Sequence, residues 1–302
     1  MSFANHQRTL AQHFLKDSYL VALLLDRSSV SPDDVVYEIG PGKGAITAQL
    51  ALRCKQVVAI EKDSRLAALL RQRFAGRSNV TIAEGDFLHY PLPRKPYKVF
   101  SNIPFNITKA IVTRLTTADC EPEDAYLVMQ REAAEMFLGQ QHESLSTVLL
   151  KPWFAVEIVH HFRRGDFVPA PRVDVVLLRL RKRGPPLVSR ADRQCFRDFV
   201  VYGFTTWRPT LGAILKGIFT GQQLKHLSRE LDLNMNATPT ALSFEQWLDL
   251  FASFKNVANE RAIHAIAGSE QRLVQQQQRL EKNHRTRLVK SSACGYIHQK
   301  NH

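Results

Sequence analysis

The chain has 302 residues, 44% of them hydrophobic and 23% charged, proportions that exclude a disordered or collagen-like chain and a miniature scaffold held by disulfides. Forty-one Lys and Arg stand against 28 Asp and Glu, and the formal net charge of +13 calls for a polyanionic partner. Residues 1–150 carry 17 basic and 16 acidic side chains, residues 151–255 carry 16 and 9, and residues 256–302 carry 8 and 3, so a balanced front half precedes a basic back half.

No apolar run approaches the roughly 18–20 residues that span a bilayer, and MSFANHQRTL lacks the apolar stretch of a secretory signal. A cytoplasmic monomer without membrane contact is expected. The cysteines at 54, 120, 195 and 294 are scattered without CxxC spacing, so no metal site is expected.

Short runs rich in β-branched residues recur at Val35–Ile39, Val57–Ile60, Val80–Ile82, Val99–Ser101 and Ala125–Met129. Between them lie stretches with helical spacing, such as Leu66, Leu69, Leu70 and Phe74, or Ile107, Ile111, Val112 and Leu115. Alternation of this kind predicts βαβ units and a mostly parallel sheet, with a ligand site at the carboxyl ends of the strands. Two further strands, Ala155–His161 and Val175–Leu180, flank RRGDFVPAPR and predict an antiparallel edge pair; Lys182–Pro186 then reads as a linker. Beyond it the expected elements are helices: Arg190–Val201, a stretch after Pro209, Gln222–Leu231, and Phe244–Phe254 behind an N-cap at Ser243. The last 47 residues hold one aromatic and a QQQQ tract, and are expected to be a basic tail, disordered or loosely helical.

The first strand ends in EIGPGKG, Glu38–Gly44, ahead of a helix. Glycines at 40, 42 and 44 allow a tight turn and close approach to a nucleotide-like ligand. Gly40-x-Gly42-x-x-Ala45 also satisfies the dinucleotide fingerprint. Glu61 closes the second strand, where a carboxylate accepts ribose hydroxyls of NAD or of S-adenosylmethionine (SAM) alike. Asp86, in GDF, is placed to accept from an adenine amino group. A sulfonium and an α-ammonium tolerate the carboxylates Glu38, Glu61 and Asp86, which favours SAM over a pyrophosphate cofactor.

The fourth strand ends in SNIPF, Ser101–Phe105, which resembles the (N/D)-P-P-(Y/F) motif of methyltransferases acting on exocyclic amines. The amine of adenine is a weak nucleophile because its lone pair is delocalised into the ring. The Asn102 side-chain oxygen and the Ile103 carbonyl can accept its two N–H bonds and localise that pair. Pro104 fixes the turn, and Phe105 offers a face on which an extruded base stacks.

QHFL (Gln12–Leu15), EIGPGKG, VVAIEKD, EGDF, NIPFNI and FVPAPRVD occur in an order that resembles the ribosomal RNA adenine dimethyltransferases, from about residue 7 to 255. Ile103 and Phe105 make the chain similar to the Erm, macrolide-resistance branch, where the small-subunit dimethylases typically read NLPY. The resemblance implies an α/β fold: a Rossmann-like class I SAM-dependent methyltransferase domain over residues 1–183, a small all-helical RNA-binding domain over 184–255, and a basic tail over 256–302. It implies methylation of an adenosine N6 in 23S rRNA, which blocks macrolide, lincosamide and streptogramin B binding. The implied cofactor site comprises Gln12, His13 and Leu15 at the methionine end, Glu38, Gly40 and Gly42 in the middle, and Glu61, Lys62, Asp86, Phe87 and Asn102. Asn102, Ile103, Pro104 and Phe105 become catalytic, and Phe167 resembles a second aromatic that sandwiches the base. His13 stands where the family usually has Asn; a protonated imidazole there would repel the SAM cation. RNA contact is expected along Arg163, Arg164, Arg172, Arg179, Arg181, Lys182 and Arg183, continuing to Arg208 and Lys216. A 16S rRNA dimethylase, a non-catalytic nucleic-acid-binding factor on the same fold, and more distantly an NAD oxidoreductase are the alternatives.

Overall fold

The computed structural model describes residues 13–117, 120–139 and 142–279, and the chain divides into two units, Met1–Leu187 and Val188–His302. The first is built on a seven-stranded sheet: β1 (Val35–Ile39), β2 (Gln56–Glu61), β3 (Val80–Glu84), β4 (Lys98–Asn102), β5 (Asp124–Gln130), β6 (Phe154–His161) and β7 (Val175–Lys182). The spatial order is β3-β2-β1-β4-β5-β7-β6. The first five strands pair in parallel; β7 runs antiparallel between β5 and β6. This is the mostly parallel sheet that the alternation of runs predicted, in the Rossmann-like arrangement that the resemblance implied.

Strand β5 is buried almost end to end, as a central strand covered on both faces must be. Side chains of β1 alternate between the faces. Val36 joins Val57, Phe100, Tyr126 and Val128 in a cluster with α1 (Ser18–Asp26) and α2 (Ala45–Leu50). Tyr37 instead meets the buried Tyr97 edge-on at 5.2 Å. The helices α3 (Ser64–Arg73), α4 (Thr108–Thr117), α5 (Arg131–Leu138) and α6 (Leu145–Leu150) complete the unit. No described helix is long and apolar enough to cross a membrane.

After β3 the chain returns to lay β4 beside β1, so the strand order reverses between these two. A crevice opens at such a switch point beyond the carboxyl ends of the strands. Those ends are EIGPGKG on β1 and SNIPF on β4, which is why two motifs 62 residues apart meet: Ile39 N–H donates to Ser101 Oγ at 3.1 Å, and Ser101 Oγ donates to the Ile39 carbonyl.

The stretch expected as a linker is tied to the first unit. Arg183 N–H donates to the Trp153 carbonyl, Leu187 N–H to that of Pro152, and the Arg183 guanidinium to that of Lys151, so the division falls after Leu187. The second unit is helical: α7 (Arg193–Thr205), α8 (Leu211–Leu215), α9 (Gly221–Glu230), α10 (Phe244–Val257) and α11 (Glu260–Ile266). Phe196, Phe199, Trp247, Phe251 and Phe254 form its core. Gly203 of α7 makes room for the Trp247 ring, which a Cβ there would meet at 2.5 Å. Ser243 caps α10, accepting from Gln246 N–H at 3.2 Å.

Of the two states expected for the tail from residue 256, the helical one holds as far as residue 279. Helix α11 and a further helix over 269–279 follow. Asp198 accepts the N–H groups of Gly268 and Glu270 at 3.1 and 2.9 Å, and Arg197 Nε donates to Glu270 at 2.8 Å. A composition poor in aromatics hides this, because polar anchors on α7 do the holding.

Candidate active site

Gly40, Gly42 and Gly44 all have positive φ, at 65°, 57° and 78°, so the sharp turn from β1 into α2 depends on glycine. Glu61 braces it from the next strand: Gly42 N–H donates to Oε2 at 3.1 Å and Asp63 N–H to Oε1 at 2.9 Å. Gly40 faces Pro104, which a Cβ at 40 would meet at 3.9 Å. The two turns thus line one cavity of about 690 Å³.

Its walls contain His13, Leu15, Glu38, Gly40, Asn102, Ile103, Pro104 and Phe105, eight of the residues singled out from sequence. Gln12 lies outside the described residues. Residues 13–15 reach the cavity because Phe14–Leu15 pairs antiparallel with Phe167–Val168, with Phe14 opposite Val168 and Leu15 opposite Phe167. Lys16 N–H extends the pairing to the Asp166 carbonyl at 2.8 Å.

Asn102 is held from this bridge. Its Nδ2 donates to the His13 carbonyl at 2.6 Å. A carbonyl can only accept, so the amide is oriented with Oδ1 left as an acceptor. The Ile103 carbonyl receives no hydrogen bond from the described residues, although Ile103 N–H is anchored to Val128 at 3.3 Å. Two acceptors therefore stand together at one turn. Phe105 is half-buried, and the His13 ring lies 5.8 Å from it at an interplanar angle of 30°. His13 Nδ1 bonds the Pro169 carbonyl at 2.7 Å, so Nδ1 carries the proton in the neutral ring.

Glu38 is 2% exposed, with Thr47 Oγ1 donating to it at 2.5 Å. Burial pushes its carboxyl up to about 8; the Thr47 hydroxyl works against this and the nearby Glu61 charge adds to it. At the far end of the crevice Asp86 Oδ2 pairs with Lys62 at 2.7 Å and Oδ1 accepts Leu88 N–H at 3.0 Å. The Lys62 hydrogen bond holds Asp86 below the ordinary carboxylate range. Both oxygens keep spare lone pairs for a ligand.

Several expected roles are corrected. Phe167 is 2% exposed and packs edge-on against Phe162 at 5.2 Å within the core cluster of Leu15, so it has no free face for a base. Phe87 is 4% exposed with its ring under the Arg114 guanidinium, which removes the side chain from cofactor contact. The space over Gly42 is filled by the Phe14 ring, which a Cβ there would strike at 2.4 Å. Among the RNA candidates, Arg179 forks onto Asp124 at 2.7–3.2 Å, Lys182 pairs with the buried Glu121 at 3.0 Å, and Arg183 serves the Lys151 carbonyl. These three cations are spent inside the fold. Arg163, Arg164, Arg172, Arg181, Arg208 and Lys216 are exposed, although Arg164 approaches Asp174 at 3.9 Å.

Sequence reasoning missed Thr47, Ser101 and Phe14. Ser101 and Thr47 are fully buried hydroxyls beside the two motifs, a signal that was present; Phe14 shows its role only through the pairing with Phe167–Val168.

The family profile described as "Ribosomal RNA adenine dimethylase" matches residues 3–256. The chain belongs to this family. An rRNA adenine N-6-methyltransferase of Bacillus licheniformis is 33% identical over 242 residues, 80% of this chain and 84% of that protein. The ribosomal RNA small subunit methyltransferase A of Geobacter sulfurreducens is 35% identical over 221 residues, 70% of this chain and 80% of that protein. Among solved structures, the 23S rRNA methyltransferase ErmE matches with a TM-score of 0.72 at 32% identity, covering 80% of this chain and 99% of that chain. The cofactor of this family member is SAM, and the donor set suits it: a buried carboxylate and backbone carbonyls beside the cavity, where a ligand of net positive charge gains from each.

Proposed function

We propose that this SAM-dependent rRNA adenine N6-methyltransferase acts on a single adenosine of 23S rRNA, in the manner of the Erm branch, so that macrolide, lincosamide and streptogramin B antibiotics lose their site. It works as a cytoplasmic monomer on naked rRNA or a ribosome precursor. The observation that carries the reading is the Asn102 amide, fixed by the His13 carbonyl so that its oxygen stands beside the Ile103 carbonyl.

Bound SAM supplies a methyl group made electrophilic by its sulfonium. Glu38 and the carbonyls of the cavity wall would hold the positive ligand, and Glu61 and Asp86, which lie outside that wall, would meet its ribose and adenine. Asn102 Oδ1 and the Ile103 carbonyl take the two N–H bonds of the target amine and hold it pyramidal, while Phe105 stacks the extruded base. Alkylation makes the remaining N–H acidic, and its proton passes to water without a dedicated base. Catalysis is then mainly positioning.

The second reading, methylation of 16S rRNA, is favoured by the 35% identity to a small-subunit methyltransferase. Ile103 and Phe105 support the first. Transfer from labelled SAM to 23S and 16S transcripts, with primer extension, decides: a stop at one 23S adenosine is expected, and modification confined to 16S rRNA overturns the proposal.

A further inference from the structure

The second unit carries a surface that the methyl-transfer site does not use. Trp207 is 101% exposed, whereas Trp153 and Trp247 are buried. A single exposed apolar residue needs no explanation by itself, so what Trp207 does is decided by the groups around it. The backbone that carries Trp207 is fixed. The turn after α7 is tied by Thr206 N–H and Oγ1 donating to the Tyr202 carbonyl at 3.1 and 2.6 Å, and by Arg208 N–H donating to Thr206 at 2.7 Å. The preceding aromatic, Phe204, stacks inward on Trp247 at 5.1 Å, so the chain alternates one ring into the core and one into solvent.

Beside this turn lies an open cavity of about 880 Å³ whose walls include Thr210, Lys216, Lys225, Ser228 and Arg229 and contain no carboxylate. Lys225 and Arg229 stand one helical turn apart on α9, and Lys216 follows α8; all three are exposed and none forms an ion pair among the described residues. Arg208 joins the two features, because its Nη1 donates at 2.7 Å to the carbonyl of Ala213, itself part of the cavity wall, and leaves its other donors free. One flat aromatic face at the edge of a cluster of four cations is the arrangement that tracks a single-stranded phosphate backbone and stacks one of its bases.

We infer that Trp207 is a stacking platform for an unpaired nucleotide of the RNA substrate and that Arg208, Lys216, Lys225 and Arg229 carry the phosphates on either side of it. The inference rests on reading rRNA as the substrate, and it adds a second aromatic contact separate from Phe105. Loss of one stacked base corresponds to roughly a 5- to 150-fold fall in affinity. Each cation removed lowers the salt slope of binding to single strands by about 0.7.

The test is a fluorescence titration of the full chain with a single-stranded oligoribonucleotide and with the corresponding duplex, alongside methyl transfer to rRNA. Because the other two tryptophans are buried, the solvent-exposed emission reports Trp207. The expected result is quenching by the single strand, lost in Trp207→Ala, with Trp207→Phe retaining most of the affinity. Lys225→Gln and Arg229→Gln should each flatten the salt dependence. In methyl transfer, Trp207→Ala should raise KM for rRNA and leave kcat and SAM binding unchanged. An unquenched emission, equal affinity of Trp207→Ala and wild type, or preference for the duplex overturns the inference. Quenching without methyl transfer to any rRNA would uphold this surface and sink the proposed function; methyl transfer with an indifferent Trp207 would do the reverse.

Discussion

Replacing Glu38 by Gln removes one buried charge site while keeping the shape of the side chain and the Thr47 hydrogen bond. With its carboxyl pushed up to about 8 by burial, Glu38 is mostly protonated at pH 7 before ligand arrives. A unit positive charge about 6 Å from a carboxylate, at an effective dielectric near 20, stabilises the ionised form by about 3 kcal/mol, or about two pK units. Cofactor binding at pH 7 should then release about 0.8 of a proton, and affinity should tighten about 100-fold from well below pH 6 to above pH 8. Calorimetry in two buffers of different ionisation enthalpy measures the proton directly. Glu38→Gln should release about 0.8 of a proton less than wild type, with the ligand's own amine titrating equally in both. Stability gives an independent sign. The unfolded chain ionises Glu38 near the ordinary carboxylate value and the empty folded site only near 8, so wild type loses stability as pH rises through that window. The melting temperature of Glu38→Gln without cofactor should therefore gain on wild type between pH 5 and pH 8. Equal proton release by wild type and variant would refute the electrostatic role.

Phe105→Ala should lower kcat/KM for rRNA roughly 5- to 150-fold through lost stacking, with SAM affinity unchanged in direct binding. Phe167→Ala should cost about 3–5 kcal/mol in denaturant unfolding because it empties a core position, and the folded variant should retain its RNA KM; a kinetic loss without a stability loss would restore the base-sandwich role. Ser101→Ala leaves the Ile39 N–H and carbonyl at the head of the glycine turn unpartnered and should cost about 1–3 kcal/mol by the same measurement. Asp124→Asn takes the charge from the buried partner of Arg179 and should cost about 3–5 kcal/mol, with the salt dependence of RNA binding unaltered if Arg179 is structural.

What could be read from the chain followed from local periodicity and one topological rule. Buried parallel strands are near-continuous apolar runs, so the first five strands stood out and the ligand site could be placed at their carboxyl ends, whereas the strand order that brings EIGPGKG beside SNIPF came only with the fold. The roles that failed were decided by partners far away in sequence. Phe167 resembled a base-stacking aromatic, and a pairing of two residues with Phe14–Leu15 at the other end of the domain put it in the core. Arg179 looked like one more phosphate ligand until Asp124, 55 residues earlier, claimed its guanidinium across adjacent strands. Arg179 and Arg181 share one face of β7, and the ion pair with Asp124 takes the first while the second stays exposed, so composition overstated how many arginines could reach RNA. The opposite error occurred at Trp207. Its neighbours Phe199 and Phe204 both pack against Trp247, and nothing in the spacing of aromatics separates an indole that packs inward from one on the hydrogen-bonded turn at Thr206 that faces solvent. Charge that survives intramolecular pairing is therefore a better guide to an RNA contact than composition, and in the second unit Arg208, Lys216, Lys225 and Arg229 keep theirs.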